Sequence, residues 1–267
     1  MKKRVFVCGN SFSEGLYLIK DSVNSPIDYD NVKLGKNKPF IEFIADELDI
    51  DYTLLARPIA SNYVICKQVE HAIEQKADLV IVTFSTVRHV DFTLKSSRLK
   101  TLPKLENLVY EEKTFAPTFK NPTDSNPEDQ VVQCLRYPNL EQYAKTTNPE
   151  YKIMVDYLNE YNDYLLKIDM ERMMVLGVIS QLKETNTKFI LADLLGSTKG
   201  DASTMMNPRS LSDINVMNVI NVEPCIRVPL GFSQKYPNPT DDFHFSEEGQ
   251  REVAKLLLPK VKELLGV

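Results

Sequence analysis

The chain alternates short apolar runs with longer stretches in which apolar residues recur every three or four positions. The first run, Val5-Phe6-Val7-Cys8, stops at Gly9 and reads as a buried strand, because consecutive apolar residues leave neither face for water. Residues 12–20 read as a helix continuing from it, and residues 21–39, polar and turn-rich, as loop. Apolar side chains at 40, 41, 43, 44 and 48 have helical spacing. Residues 52–56 are a candidate second strand, and Ser61 is placed to cap a helix running to about residue 75. Residues 78–84, Asp-Leu-Val-Ile-Val-Thr-Phe, make the plainest strand of all, apolar on both faces and so in need of cover on both.

Residues 91–147 break this rhythm with many prolines, scattered aromatics and few periodic apolar positions. The stretch is too long for a simple connection, so it reads as an insertion, a lid or small subdomain beside a functional site, with a partner-binding surface as the alternative. Asn148-Pro149 then opens a helical region to about residue 184, with a break expected near Gly177. Residues 187–192 are a fourth strand and 225–228 a short fifth; between them, 203–222 follow no single period, with helical spacing over 211–219. Ser246 caps a last helix over 247–265, with Glu247 and Glu248 at its positive end. Strands alternating with helices predict an α/β fold: one domain over 1–267, its parallel sheet covered on both faces. In such sheets ligands bind beyond the carboxyl ends of the strands.

Composition narrows the partners. With 43% hydrophobic and 26% charged residues, the 267-residue chain reads as an ordinary soluble globular protein. A net charge of −5 without a basic stripe gives no reason to expect nucleic acid or an anionic membrane surface. Cys8, Cys66, Cys134 and Cys225 form no C-x-x-C pair and no zinc spacing, so neither a metal, a cofactor nor a disulfide framework is expected. Cys8 and Cys66 lie in apolar runs and read as core residues. The basic start, Met1-Lys2-Lys3-Arg4, precedes only four apolar residues, too few for a signal peptide. No run approaches the ~20 apolar residues of a membrane span. The expectation is a cytoplasmic protein.

Two stretches carry candidate chemistry. Ser11 directly follows the first strand and enters a helix. The strand end fixes it, and the helix start offers N–H groups and a positive dipole end to a developing oxyanion. Gly9 permits the sharp turn. The bland reading of Gly9-Asn10-Ser11 is plain helix-cap chemistry. His244 stands three residues after Asp241, between a turn-rich stretch and the cap of the last helix. In a turn that spacing lets a carboxylate reach one ring nitrogen, or lets both side chains face one site; the bland reading is a solvated acidic turn. Histidine is the usual base for a serine nucleophile. His71, inside a helix, reads as a surface or interface residue; His89, after the third strand, is the rival base but has no carboxylate so well spaced.

Together the two stretches resemble the SGNH/GDSL hydrolase family. Gly9-Asn10-Ser11-Phe12-Ser13-Glu14-Gly15 is similar to its first block, Gly-Asp-Ser-x-Ser/Thr-x-Gly, with Asn10 in the aspartate position. Asp241-Asp242-Phe243-His244 with Gly249 is similar to its last block, and the two blocks stand near the ends of the chain, as in the family. The resemblance implies a three-layer flavodoxin-like sandwich around a five-stranded parallel sheet, and a serine esterase or glycan deacetylase acting on a small-molecule or glycan acyl ester. Ser11 matches the nucleophile and, through its N–H, one oxyanion donor; His244 matches the base and Asp241 its orienting acid. The middle blocks depart from the pattern. In Leu55-Ala-Arg-Pro-Ile-Ala-Ser-Asn62, Ile59 stands in the glycine position of the second block, with Ala60 as the neighbouring N–H donor. In Thr83-Phe-Ser-Thr-Val-Arg88 the asparagine of the third block is missing, leaving Ser85 or Thr86 as hydroxyl donors, or Asn62 reaching in. Without that asparagine, a binding or virion-structural module on the same fold is the competing function. The Gly-Asn-Ser start, the Ser/Thr-rich third block and the Asp242-Phe-His-Phe245 ending resemble phage-encoded members of the family.

Overall fold

The structure is a computed structural model that describes residues 2–19, 33–57, 60–85, 89–95, 130–136, 164–194, 222, 224–229, 231–238 and 241–267. Strand β1 (Arg4–Cys8) leads into a single helical turn, α1 (Ser11–Glu14), and then to strands β2 (Leu16–Ile19) and β3 (Lys33–Lys36). Next come α2 (Phe40–Leu48), β4 (Asp51–Leu54), α3 (Asn62–Glu74) and β5 (Leu79–Val82), followed by β6 (His89–Lys95) and β7 (Gln130–Arg136). Helix α4 (Tyr164–Glu184), β8 (Phe189–Asp193), β9 (Cys225–Arg227), the short α5 (Phe232–Lys235), β10 (Pro237–Asn238), β11 (Asp241–Phe245) and α6 (Glu247–Leu265) complete the described chain.

Five strands form one parallel sheet in the order β4-β1-β5-β8-β9. Numbered by position along the chain this is 2-1-3-4-5, the flavodoxin-like order of doubly wound α/β folds. The apolar runs take the central places: β5 and β8 are buried along their length, as is β1 after Arg4, whereas the edge strands β4 and β9 carry the more exposed residues. The pleat divides the core in two. Val5, Val7, Leu79, Ile81, Ile190 and Ala192 pack with α2 and α6. Phe6, Cys8, Val80, Val82, Phe189 and Leu191 pack with α3 and α4. The result is three layers, as expected. Cys8 and Cys66 are both buried in the second of these clusters.

Several expectations are corrected. No helix spans 12–20: Gly15, at φ +74°, ends α1 after one turn. Leu16–Ile19 then pairs antiparallel with Lys33–Lys36, inside the stretch read as loop. Only glycine suits position 15, since a Cβ there would meet Asn37 O at 2.6 Å. Helix α4 runs through Gly177 without the expected break. The stretch read as a turn before the last helix is strand β11. Both expected serine caps are present: Ser61 Oγ accepts from Val64 N at 3.1 Å and Ser246 Oγ from Gly249 N at 3.3 Å. The insertion holds β7 and most of β6, which pair antiparallel from His89, just before it, opposite Arg136 to Lys95 opposite Gln130. Its remaining residues, the cap at Asn148 and residues 203–219 lie outside the described residues.

Candidate active site

Strand β1 sits in the sheet between β4 and β5, so the chain leaving Cys8 emerges at the carboxyl edge. The turn there is tightly held. Asn10 is the N-cap of α1: its Oδ1 accepts from Phe12 N at 3.1 Å, and its carbonyl accepts from Ser13 N and Glu14 N at 3.1 and 3.2 Å. Ser11 is therefore the first helical residue. Gly9 must be glycine, because a Cβ would stand 1.9 Å from Thr83 Oγ1 and 2.6 Å from Ser13 Oγ. Those two buried hydroxyls hydrogen-bond to each other beneath the turn. Gln68, wholly buried on α3, grips both sides of Gly9. Its Oε1 accepts from Gly9 N at 2.6 Å and its Nε2 donates to Gly9 O at 3.3 Å. Arg57 N donates to the same carbonyl at 3.1 Å.

The histidine arrives from the other end of the chain. Ser11 Oγ and His244 Nε2 are 2.7 Å apart, across 233 positions of sequence. The imidazole lies against Phe12, ring centroids 4.7 Å apart, and Phe12 meets Phe245 edge-on at 5.3 Å. Asn37 Nδ2 donates to Phe245 O at 2.9 Å and so pins β11. Buried Gln250 joins three elements: Nε2 donates to Phe12 O at 2.8 Å and Oε1 accepts from Phe40 N at 3.0 Å. Asp241 opens β11, three residues before His244, with its backbone opposite Asn238.

Ala60, Asn62 and Ser85 fall around the same edge. Ala60 is buried, and its N–H donates to Arg57 O at a long 3.3 Å. Asn62 is committed elsewhere: Oδ1 accepts from Ser85 N at 2.6 Å, and Nδ2 donates to Ser85 O at 3.1 Å and to Glu171 Oε2 at 2.6 Å. Both amide hydrogens are thus engaged within the protein. Ser85 is buried at the end of β5. Ile59 and Thr86 lie outside the described residues. Of the other histidines, His71 lies on α3 with Nδ1 4.0 Å from Glu74, and His89 opens β6.

One carboxylate near Ser11 is ill at ease. Glu14 Oε2 is buried and accepts no hydrogen bond from the described residues. Burial pushes its carboxyl up to about 6, against the opposing pull of Arg57 and Lys36. Burial likewise holds the Cys8 thiol well above its usual range, with Cys66 adding to the effect. Among the described residues, no group of three or more histidine, cysteine, aspartate or glutamate side chains is placed to hold a metal. No described helix is long and apolar enough to cross a membrane.

Ser11 and His244 were legible from their motifs. Gln68, Gln250, Asn37 and Glu171 were not, because their partners are mostly backbone groups or residues far away in sequence. What the arrangement offers chemically is a hydroxyl beside an imidazole nitrogen, at a helix start, on a rigid strand end.

No protein-family model and no curated protein matches the chain. Solved structures similar to it include a carbohydrate esterase whose active site is described as having divergent catalytic and non-catalytic binding functions. That match has 11% identity and a TM-score of 0.48, covering 98% of this chain and 68% of the other. A carbohydrate esterase family 2 enzyme with a carbohydrate-binding domain, from Corynascus thermopiles (Myceliophthora fergusii), matches at 10% identity and TM-score 0.46, covering 100% and 68%. A GDSL-like lipase from Bacteroides thetaiotaomicron matches at 10% and 0.43, covering 98% and 88%.

Proposed function

We propose that this chain is a serine hydrolase of the SGNH/GDSL type that cleaves an acyl ester, an esterase or a glycan deacetylase. The observation that carries the reading is the 2.7 Å approach of Ser11 Oγ to His244 Nε2 at the carboxyl edge of the sheet. That distance lies within the range for direct proton transfer to a general base.

In this reading Ser11 Oγ attacks the ester carbonyl while His244 Nε2 takes its proton. The tetrahedral intermediate collapses as His244 returns the proton to the departing alcohol. Water, activated by the same imidazole, then releases the acid and restores Ser11. Asp241 is assigned the orienting role on His244, on the resemblance of Asp241-Asp242-Phe243-His244 to the family's last block rather than on turn geometry, since the stretch is strand β11. The Ser11 N–H, first in α1, is assigned to the oxyanion, with further donors from Ile59 and from Ser85 or Thr86 after β5; the Ala60 N–H is set aside because it donates to Arg57 O. Asn62 is left out of the donor set because its two amide hydrogens are engaged.

Hydrolysis of a chromogenic acetyl ester tests this. The wild-type chain should turn the ester over, and Ser11→Ala should lose the activity by several orders of magnitude. Equal turnover by Ser11→Ala, or none by the wild type across short and longer acyl chains, would contradict it and favour a binding module on the same fold.

A further inference from the structure

We infer that Glu171, on α4, is a positioning residue for this hydrolysis: through Asn62 it fixes the Ser85 peptide at the end of β5. The inference rests on the esterase reading of the Ser11–His244 site and adds to it a residue that never touches the substrate.

An asparagine amide has one acceptor oxygen and two N–H donors. In Asn62 all three are used. The oxygen takes the Ser85 N–H at 2.6 Å, one N–H goes to the Ser85 carbonyl at 3.1 Å, and the amide nitrogen also donates to Glu171 Oε2 at 2.6 Å. The side chain thereby pairs with the Ser85 peptide as a neighbouring strand would, at the point where β5 has ended. Asn62 and Ser85 are both buried, so the groups of this peptide have little water to turn to if the asparagine leaves.

Glu171 reinforces the way the amide faces, which the two Ser85 contacts already favour. A flipped Asn62 would set an NH2 group against the Ser85 N–H and an oxygen against the Ser85 carbonyl, two repulsive contacts in place of two hydrogen bonds. A carboxylate is acceptor-only, so it holds the NH2 end towards itself and excludes the flip. Its charge also makes the contact one of the stronger hydrogen bonds available. Ser85 is itself one of the oxyanion donors assigned to the stretch after β5. A misplacement of such a group by ~1 Å is worth up to about 10²-fold in rate.

The test uses the full chain with two variants. Glu171→Met keeps the side-chain length but has no hydrogen-bond acceptor of comparable strength, whereas Glu171→Gln keeps an oxygen that can take the Asn62 N–H. With a chromogenic acetyl ester, Glu171→Met should lower kcat on the order of 10- to 100-fold with little change in KM. Glu171→Gln should retain most of the wild-type kcat. Amide hydrogen exchange at Ser85 should be faster in Glu171→Met than in the wild type or Glu171→Gln, and this readout does not need turnover. Wild-type kcat in Glu171→Met, equal impairment in both variants, or unchanged exchange at Ser85 would each overturn the inference. Failure of the esterase reading looks different: the wild type itself would neither turn over ester nor react with a serine-directed phosphonate.

Discussion

Glu14 is a residue whose ionisation works against the stability of the fold. It shares the single turn of α1 with Ser11, and its Oε2 is buried without a hydrogen bond from the described residues. Its carboxyl is raised from 4.5 to about 6, chiefly by burial. The folded chain therefore binds this proton more tightly than the unfolded chain does. The contribution to stability is full below the unfolded value of 4.5 and is lost as pH rises to about 6. At neutral pH the ionised group costs about 2 kcal/mol, at 1.36 kcal/mol per unit. Glu14→Gln removes the charge and keeps the shape. Thermal unfolding should show the variant gaining on the wild type between pH 4 and pH 7.5, and a difference independent of pH would contradict this assignment. A sequence gives little warning of such a residue. Glu14 occupies the variable position between Ser13 and Gly15, and only the packed structure reveals that its oxygen is enclosed.

At the scale of elements, the decisive contact is that of α6 on β11. Gly249, in the first turn of α6, lies so close to the strand that a Cβ would stand 2.8 Å from Phe245 Cβ and 2.9 Å from Tyr236 Cβ. Neither atom is the far end of a flexible side chain, so the helix or the strand must shift, at a cost of about 1–3 kcal/mol. Phe245 adjoins His244, which makes any shift felt at that imidazole. Gly249→Ala should lower the melting temperature by several degrees and reduce ester turnover. A rise in melting temperature, from the better helix propensity of alanine, would show that the close approach is not limiting. The ends of this helix were legible beforehand: Ser246 and the two glutamates after it mark its start, and apolar periodicity carries it to Leu265. The strand before it was not, because Asp241-Asp242 with a turn-rich run ahead reads as turn and, among the described residues, the ladder partner of β11 is the short β10. The antiparallel pair β2–β3 escaped for a related reason. Its two strands are four residues each, and residues 12–20 include enough apolar side chains to pass for a helix until Gly15 ends it.

For the molecule as a whole, the parallel sheet was readable because its central strands are unbroken apolar runs, and strand–helix alternation leaves few topologies for such runs. The order 2-1-3-4-5 puts β1 between β4 and β5, and so brings the turn after β1 and the end of β5 to one edge of the sheet. Pairing Ser11 with His244 across the length of the chain was legible only through the two motifs, since nothing in periodicity relates residues 233 positions apart. The polar clamps around them, Gln68 on Gly9 and Gln250 on Phe12, carry no pattern of their own, because a glutamine on a helix reads the same whether it faces water or a buried carbonyl. The central claim is that Ser11 is a nucleophile activated by His244. Incubation with a fluorophosphonate, with peptide mapping of the product, tests it most directly. A single phosphonylated residue, Ser11, is expected in the wild-type chain, and no labelling on the same timescale in His244→Ala. A wild-type chain that stays unlabelled, a label at another serine, or undiminished labelling of Ser11 in His244→Ala would contradict it.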